Sequence, residues 1–296
     1  MNTTTQTAAT NTGLPSKALL VNVSIAQWSG RKHDKKVTRE VEEAHNAQSG
    51  EAGRFNKMLT SKDFLAATSK AAGAARLFLY ENTLPWGDNG DRLLPSANYF
   101  DFVKGMTKYE NGFNTAVTEA EDKFEEMITE AQTRLNGLFN AADYPNKVEF
   151  RSKFSLKVCF MAIPETKDFR VDLTEMEVNV LKQSIETEMS NRLTASVSNI
   201  WERIKEQLEH MKNRLTEVND KNEPVIFRNS LFDNLKDLVD LLPKLNVTNS
   251  PAINDICNEM QSLIIDPEKV RTSAQVRSRK AEEVNDILNK FDAYFS

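Results

Sequence analysis

TEMEVNVLKQSIETEMSNRLTASVSNIWERIKEQLEHMKNRLTEV, residues 174–218, is the stretch on which the fold turns. Apolar residues at Met189, Leu193, Val197, Ile200, Ile204, Leu208, Met211, Leu215 and Val218 take eight steps over 29 residues, about 3.6 per step. That is the period of one face of an α-helix. Thr174 and Glu177 stand at the spacing of a capping box, which opens a helix. At 1.5 Å per residue this helix would run roughly 65–70 Å. A rod of that length needs a second long helix beside it. The candidates are the 101–139 segment, as an antiparallel pair, or the same helix of another chain.

Working outward, Phe113, Val117, Ala120, Phe124, Ile128, Ala131, Leu135 and Leu138 repeat the pattern, seven steps over 25 residues. The outer face of that helix carries Glu119, Glu121, Asp122, Glu125, Glu126 and Glu130. It reads as a solvated surface, with docking of a basic partner or DNA mimicry as the functional alternative. Asp63–Leu79, rich in Ala, reads as a buried helix, and Val37–Ala47, dense in charge, as an exposed one. Strands are marked by a period of two: Leu19, Val21, Val23 and Ile25; then Phe154, Leu156, Val158 and Phe160 within 153–163; then a third at Phe169–Leu173 as a hairpin. Leu84-Pro85-Trp86-Gly87 and its continuation to Ser96 read as a loop. Helices follow at Leu231–Leu242, Ala252–Ile264 and from Pro267 to the C-terminus. Residues 1–16 have almost no large apolar side chains and read as a disordered tail. The expected fold is mainly α, long antiparallel amphipathic helices with a small antiparallel sheet from 19–27 and 153–163. The expected domains are 17–218 and a C-terminal helical segment, 219–296, packed on it.

Composition agrees. Of 296 residues only 10 are Gly and 9 Pro, too few breakers for a glycine-punctuated β or α/β enzyme. Lys and Arg number 38 against 43 Asp and Glu, a net charge of −5, so nothing is histone-like or polybasic. Residues 1–100 carry 12 basic and 9 acidic residues, and the positive end centres on Arg31–Lys36. Two cysteines, Cys159 and Cys257, have apolar neighbours and read as buried thiols. The N-terminus has neither the charge nor the apolar run of a secretory signal, and no run approaches a membrane span. A cytoplasmic protein without membrane attachment is expected. His33, His45 and His210 are scattered, and no phosphate-binding loop, dinucleotide fingerprint, zinc motif or nucleophile elbow occurs. No catalytic residue, metal or cofactor is therefore assigned, although a dispersed active site remains a third reading.

Candidate binding residues fall into three groups. Trp28-Ser29-Gly30-Arg31-Lys32, with Lys35 and Lys36, offers a turn and cations for phosphates, with Trp28 free to stack on a base. The plainer reading has Trp28 sealing a strand and the cations solvated. Arg271, Arg277, Arg279 and Lys280 lie on one expected helix and form a second basic run that could track phosphates or simply face solvent. Trp86 is an exposed hot spot or a cover for the core beneath its loop. Leu208 and Leu215 are the stripe residues expected to hold a partner helix. Gly87–Asp91 hints at a calcium loop but misses its ligand spacing and reads as a turn.

Leu19–Lys32, the Leu84-Pro85 loop, the long helix after it and the strand ending at Ile163-Pro164 resemble a family of uncharacterised phage and plasmid proteins. The resemblance covers about residues 18–218. Members are often encoded near MoxR-type AAA ATPases and von Willebrand factor A-type proteins. The family has no assigned catalytic residues, so the resemblance implies a non-enzymatic companion of a AAA machine, phage-encoded and working in the host cytoplasm. Two functions follow from the sequence. One is a structural or adaptor protein that forms a homo-oligomer or docks a AAA ATPase through its long helices. The other is a protein that binds nucleic acid, single-stranded DNA in replication or recombination, through the basic turn after the first strand.

Overall fold

The computed structural model describes residues 13–164, 175–221 and 223–295. In chain order the elements are α1 (Leu14–Lys17), β1 (Ala18–Ala26), β2 (Arg31–His33), α2 (Lys35–Ala44), β3 (Asn56–Met58) and α3 (Ala66–Asn82). Next come β4 (Leu84–Pro85), β5 (Arg92–Pro95), α4 (Tyr99–Asp122), α5 (Phe124–Leu135), α6 (Lys147–Ser152) and β6 (Ser155–Met161). The chain closes with α7 (Glu175–Thr216), α8 (Ser230–Leu245), α9 (Pro251–Leu263), α10 (Pro267–Thr272) and α11 (Ala274–Phe295). The fold is mainly α with a small antiparallel sheet. No described helix is long and apolar enough to cross a membrane.

Two compact units divide the chain, one made of Met1–Asn22, Tyr80–Asp101 and Phe160–Ser296, the other of Val23–Leu79 and Phe102–Cys159. The expected boundary at 218 is therefore not a unit boundary. The C-terminal helices belong with α7, because they supply the surface that covers its stripe.

In the first unit, α7 is 42 residues long and packs against α11 and α8. Met189, Leu193, Ile200, Ile204, Leu208, Met211 and Leu215 are all buried, as the 3.6-residue spacing requires. Val218 lies past the helix end and is exposed. The long partner expected at 101–139 is replaced by α11, whose Val284, Ile287, Leu288 and Phe291 fill the facing core. The expected single C-terminal helix is broken: Ser273 adopts extended geometry and its hydroxyl accepts from Val276 N–H at 3.3 Å, starting α11 afresh. Within this unit β4, β5 and the first part of β1 lie side by side in that order. Ala18 opposes Pro95 and Val21 opposes Arg92 in β1–β5, and Leu84 opposes Leu93 in β4–β5. The stretch read as a loop at 83–96 is thus a hairpin. Leu14 of α1 is buried in the same core, so structure begins inside the expected tail. Residues 1–12, the third strand at Phe169–Leu173 and the capping Thr174 lie outside the described residues.

The second unit is built on aromatic rings. Phe124 and Phe150 stack at 4.2 Å, Phe154 meets Phe150 edge-on at 5.1 Å, and Trp28 meets Phe150 edge-on at 5.4 Å. Phe150 reaches this cluster from α6, a short helix opened by the reciprocal Asn146–Glu149 capping box. The expected helix across 113–138 is interrupted where Lys123 leaves helical geometry. Met127 rather than Ile128 is buried after it, and Leu138 is exposed. On α3 the buried residues are small (Thr68, Ala72, Ala75) together with Leu79, while Leu77 stands in solvent. Cys257 is buried as expected, but Cys159 is exposed near the end of β6.

Candidate nucleic-acid interface

After the turn at Gly30 the basic run is exposed, as its plainer reading has it, but it is not itself turn. Arg31-Lys32-His33 is a strand paired antiparallel with Asn56-Lys57-Met58, with Lys32 opposite Lys57 and His33 opposite Asn56. Gly30 makes the entry to β2 feasible. Its φ is +63°, and a Cβ there would stand 2.4 Å from Thr60 Cγ2. The register extends one step further, because Asp34 N–H donates to Phe55 O at 2.9 Å.

Asp34 caps α2, accepting from the Lys36 and Val37 N–H groups at 3.1 and 3.2 Å. The start of that helix is therefore filled by a carboxylate of the protein. Beneath the ribbon, buried Lys57 donates to Asp34 Oδ2 at 3.1 Å, Asp143 Oδ2 at 2.5 Å and Leu138 O at 2.8 Å. Lys32 adds a 3.0 Å contact to Asp143 Oδ1. Burial acts against the Lys57 charge, but the two carboxylates outweigh it and hold its pKa above the ordinary lysine value. Backbone N–H donation from Val37 and the Lys57 ammonium hold Asp34 below the carboxylate range. For Asp143, Lys57 and Lys32 overcome the upward push of burial.

These pairings leave a set of unopposed cations. Arg31, Lys35, Arg39 and Arg54 are exposed and form no ion pair with the described residues. Lys36 is 88% exposed and has only Glu40 at 3.8 Å. Arg39 and Arg54 escaped the sequence reading. Arg54 precedes Phe55, whose N–H donates to Thr38 Oγ of α2 at 3.1 Å, and β3 reaches that place by pairing with β2 across more than twenty residues, which no local pattern announces. The second unit as a whole holds 18 Lys and Arg against 15 Asp and Glu, a balance of +3, whereas the first holds 20 against 28, or −8.

Comparison with family models, with curated proteins and with solved structures finds no match. The chemistry of the surface has to speak for itself.

The remaining sequence candidates have other roles. Half-buried Trp28 is engaged edge-on by Phe124 at 6.0 Å and by Phe150, so it seals the aromatic core and is not a free stacking face. Buried Arg277 donates to Leu215 O at 2.7 Å, Arg214 O at 2.8 Å and Val225 O at 2.9 Å, closing the carbonyl end of α7. Buried Lys280 donates to Ser262 O at 2.9 Å and Glu283 at 2.6 Å. Arg271 binds Glu268, Phe227 O and the Asn229 side chain. Arg279 is exposed, with Glu283 at 3.5 Å. The second basic run is therefore not a phosphate-tracking face: helical spacing turns two of its four cations inward. Trp86 is buried in the first unit's core, and so are Leu208 and Leu215, covered by the chain's own helices. None of the three presents a surface to a partner. Among the described residues no group of three or more His, Cys, Asp or Glu side chains could hold a metal ion.

Proposed function

We propose that the protein binds nucleic acid through the phosphate backbone, using Arg31, Lys35, Lys36, Arg39 and Arg54 around the β2–β3 ribbon and α2. The observation that carries this reading is their exposure, with Glu40 at 3.8 Å from Lys36 the one carboxylate within ion-pair distance among the described residues, on the one unit whose charge balance is positive. Exposed cations of this kind release condensed counterions from nucleic acid and give sequence-independent affinity. Lys32 is partly neutralised by Asp143 and contributes less. The test is fluorescence anisotropy of labelled single- and double-stranded DNA at several salt concentrations. Binding should weaken linearly on a log–log plot, and R31A/K35A should flatten the slope by about 1.8 on double-stranded and about 1.4 on single-stranded DNA, one increment per lost phosphate contact. No binding at low salt, or an unchanged slope in the double variant, would overturn it.

A second reading, an adaptor that self-associates and presents its long helix to a AAA ATPase, is supported by the first turns of α7. There Met176 is 78% and Val180 66% exposed. Light scattering should then give a mass above one chain that V180D reduces; a monomer at all concentrations rejects self-association.

A further inference from the structure

Arg92 of β5 and Arg203 of α7 converge on one oxygen. Arg203 Nη2 donates to Thr83 O at 2.7 Å, and Arg92 Nη2 donates to the same carbonyl at 3.2 Å. Arg203 also donates to Tyr80 O at 2.7 Å and Glu81 O at 2.8 Å, and Arg92 Nε to Thr83 Oγ at 2.6 Å. Arg92 lies 4.8 Å over the Tyr80 ring. Neither guanidinium forms an ion pair with the described residues, whereas Arg192, Arg214, Arg271 and Arg279 of the same unit each have a glutamate and Arg228 stands exposed in solvent.

Capping the end of α3 does not account for both. A helix terminus leaves carbonyls that one guanidinium can satisfy, and Arg203 alone reaches three of them. Arg92 adds a second like charge in a half-buried place. Burial first and the Arg203 charge second bring its pKa down to about 10. The acids that act here, Glu81 and Glu206 on Arg203, do so without ion-pair contact, and Glu81 is itself pushed toward its neutral form by burial and Asp237. Two donors remain, Arg92 Nη1 and Arg203 Nε. They bond to no described acceptor, and neither is among the nitrogens sealed from solvent.

We propose that Arg92 and Arg203 form a binding site for a small oxyanion, a phosphate or carboxylate group that accepts hydrogen bonds from Arg92 Nη1 and Arg203 Nε. Guanidinium groups match such oxygens in geometry and charge, and an anion would relieve the repulsion that the protein leaves standing.

The experiment is thermal unfolding of the full chain in inorganic phosphate and, separately, in acetate, each against sodium chloride of equal ionic strength. The midpoint should rise by about 2–4 °C near tenfold excess over the dissociation constant. R92Q, which keeps the Arg203 cap, should lose the rise; R31A/K35A should keep it. A rise in phosphate alone identifies a phosphate ligand, and a rise in acetate as well identifies carboxylates too. Because R92Q could fail to fold, the phosphorus NMR linewidth of inorganic phosphate is also read with R31A/K35A protein, where broadening is expected. No rise over chloride, an equal rise in R92Q, or no broadening would overturn the site.

Discussion

Lys57 Nζ lies 2.5 Å from Asp143 Oδ2, inside the second unit, and joins a strand to a short turn more than eighty residues away in sequence. Both side chains are less than a tenth exposed, so water cannot replace either partner. Removing Asp143 leaves the buried Lys57 charge with Asp34 as its one carboxylate, at 3.1 Å, and losing a charged hydrogen-bond partner in such a place costs up to about 3 kcal/mol. D143N should therefore lower unfolding free energy by up to about 3 kcal/mol in urea at neutral pH. A loss below about 1 kcal/mol would show that the pair is solvated.

The same network sets a pH window. Asp34 and Asp143 titrate in the folded state below their unfolded value of about 3.9, so their stabilisation is in place above that pH and is lost as pH falls through the folded values. Lys57 is held above its unfolded value of about 10.4, so its share is in place below that pH and is lost as pH rises through the folded value. Unfolding of wild type should be flat in mid-range and fall at both ends. K57M should abolish the alkaline fall that wild type shows beyond its lysine-independent background, as read by urea midpoints from pH 3 to 11.

Arg277 closes three carbonyls at the end of α7 with one guanidinium, so R277M leaves several acceptors unsatisfied in a buried place. Each costs about 1–3 kcal/mol when orphaned. A loss of about 2–4 kcal/mol is expected, together with faster amide exchange at Glu217 and Val225, whose backbone pairing Arg277 anchors. R277K can satisfy fewer of the three and should fall between.

Leu208 and Leu215 are covered by the chain's own helices, which changes what their variants report. L208A should cost about 2–5 kcal/mol in unfolding free energy. L208D/L215D should unfold the first unit rather than release a folded monomer. Circular dichroism and light scattering on the same sample separate the two results.

Much of this architecture can be read from spacing alone. The stripe of α7 is visible because its buried face repeats every 3.6 residues over many turns, and β1 because apolar residues alternate. What spacing could not show is the identity of the covering element. Val284 and Leu288 of α11 carry no label that pairs them with α7 rather than with the 101–139 segment. The candidate surface is half legible: Arg31, Lys35 and Lys36 are close enough in sequence to notice, whereas Arg54 depends on β-pairing across a long connection. Trp28 seals the core, as its plainer reading has it, whereas Arg277, expected in solvent or on a phosphate, turns inward; one reason covers both. A side chain with an apolar body and a polar or aromatic function serves the core as readily as a ligand, and only the neighbours decide.

Two glycines of α4 receive the same substitution with opposite consequences. A Cβ on Gly105 would stand 2.2 Å from Phe78 Cζ and 2.7 Å from Cε2. That ring cannot swing clear easily, because it stacks on Phe102 at 5.7 Å and packs against Tyr109 at 5.0 Å. Ala is favoured over Gly in a helix by about 0.8–1 kcal/mol, but overpacking of this kind costs typically 1–3 kcal/mol. G105A should therefore destabilise by up to about 2 kcal/mol. Gly112, two turns along the same helix, has nothing within 4 Å of its missing Cβ. There the propensity term acts alone, and G112A should stabilise by up to about 1 kcal/mol. Urea unfolding of the two variants side by side decides the matter, and a shift of the same sign in both would show that Phe78 gives way.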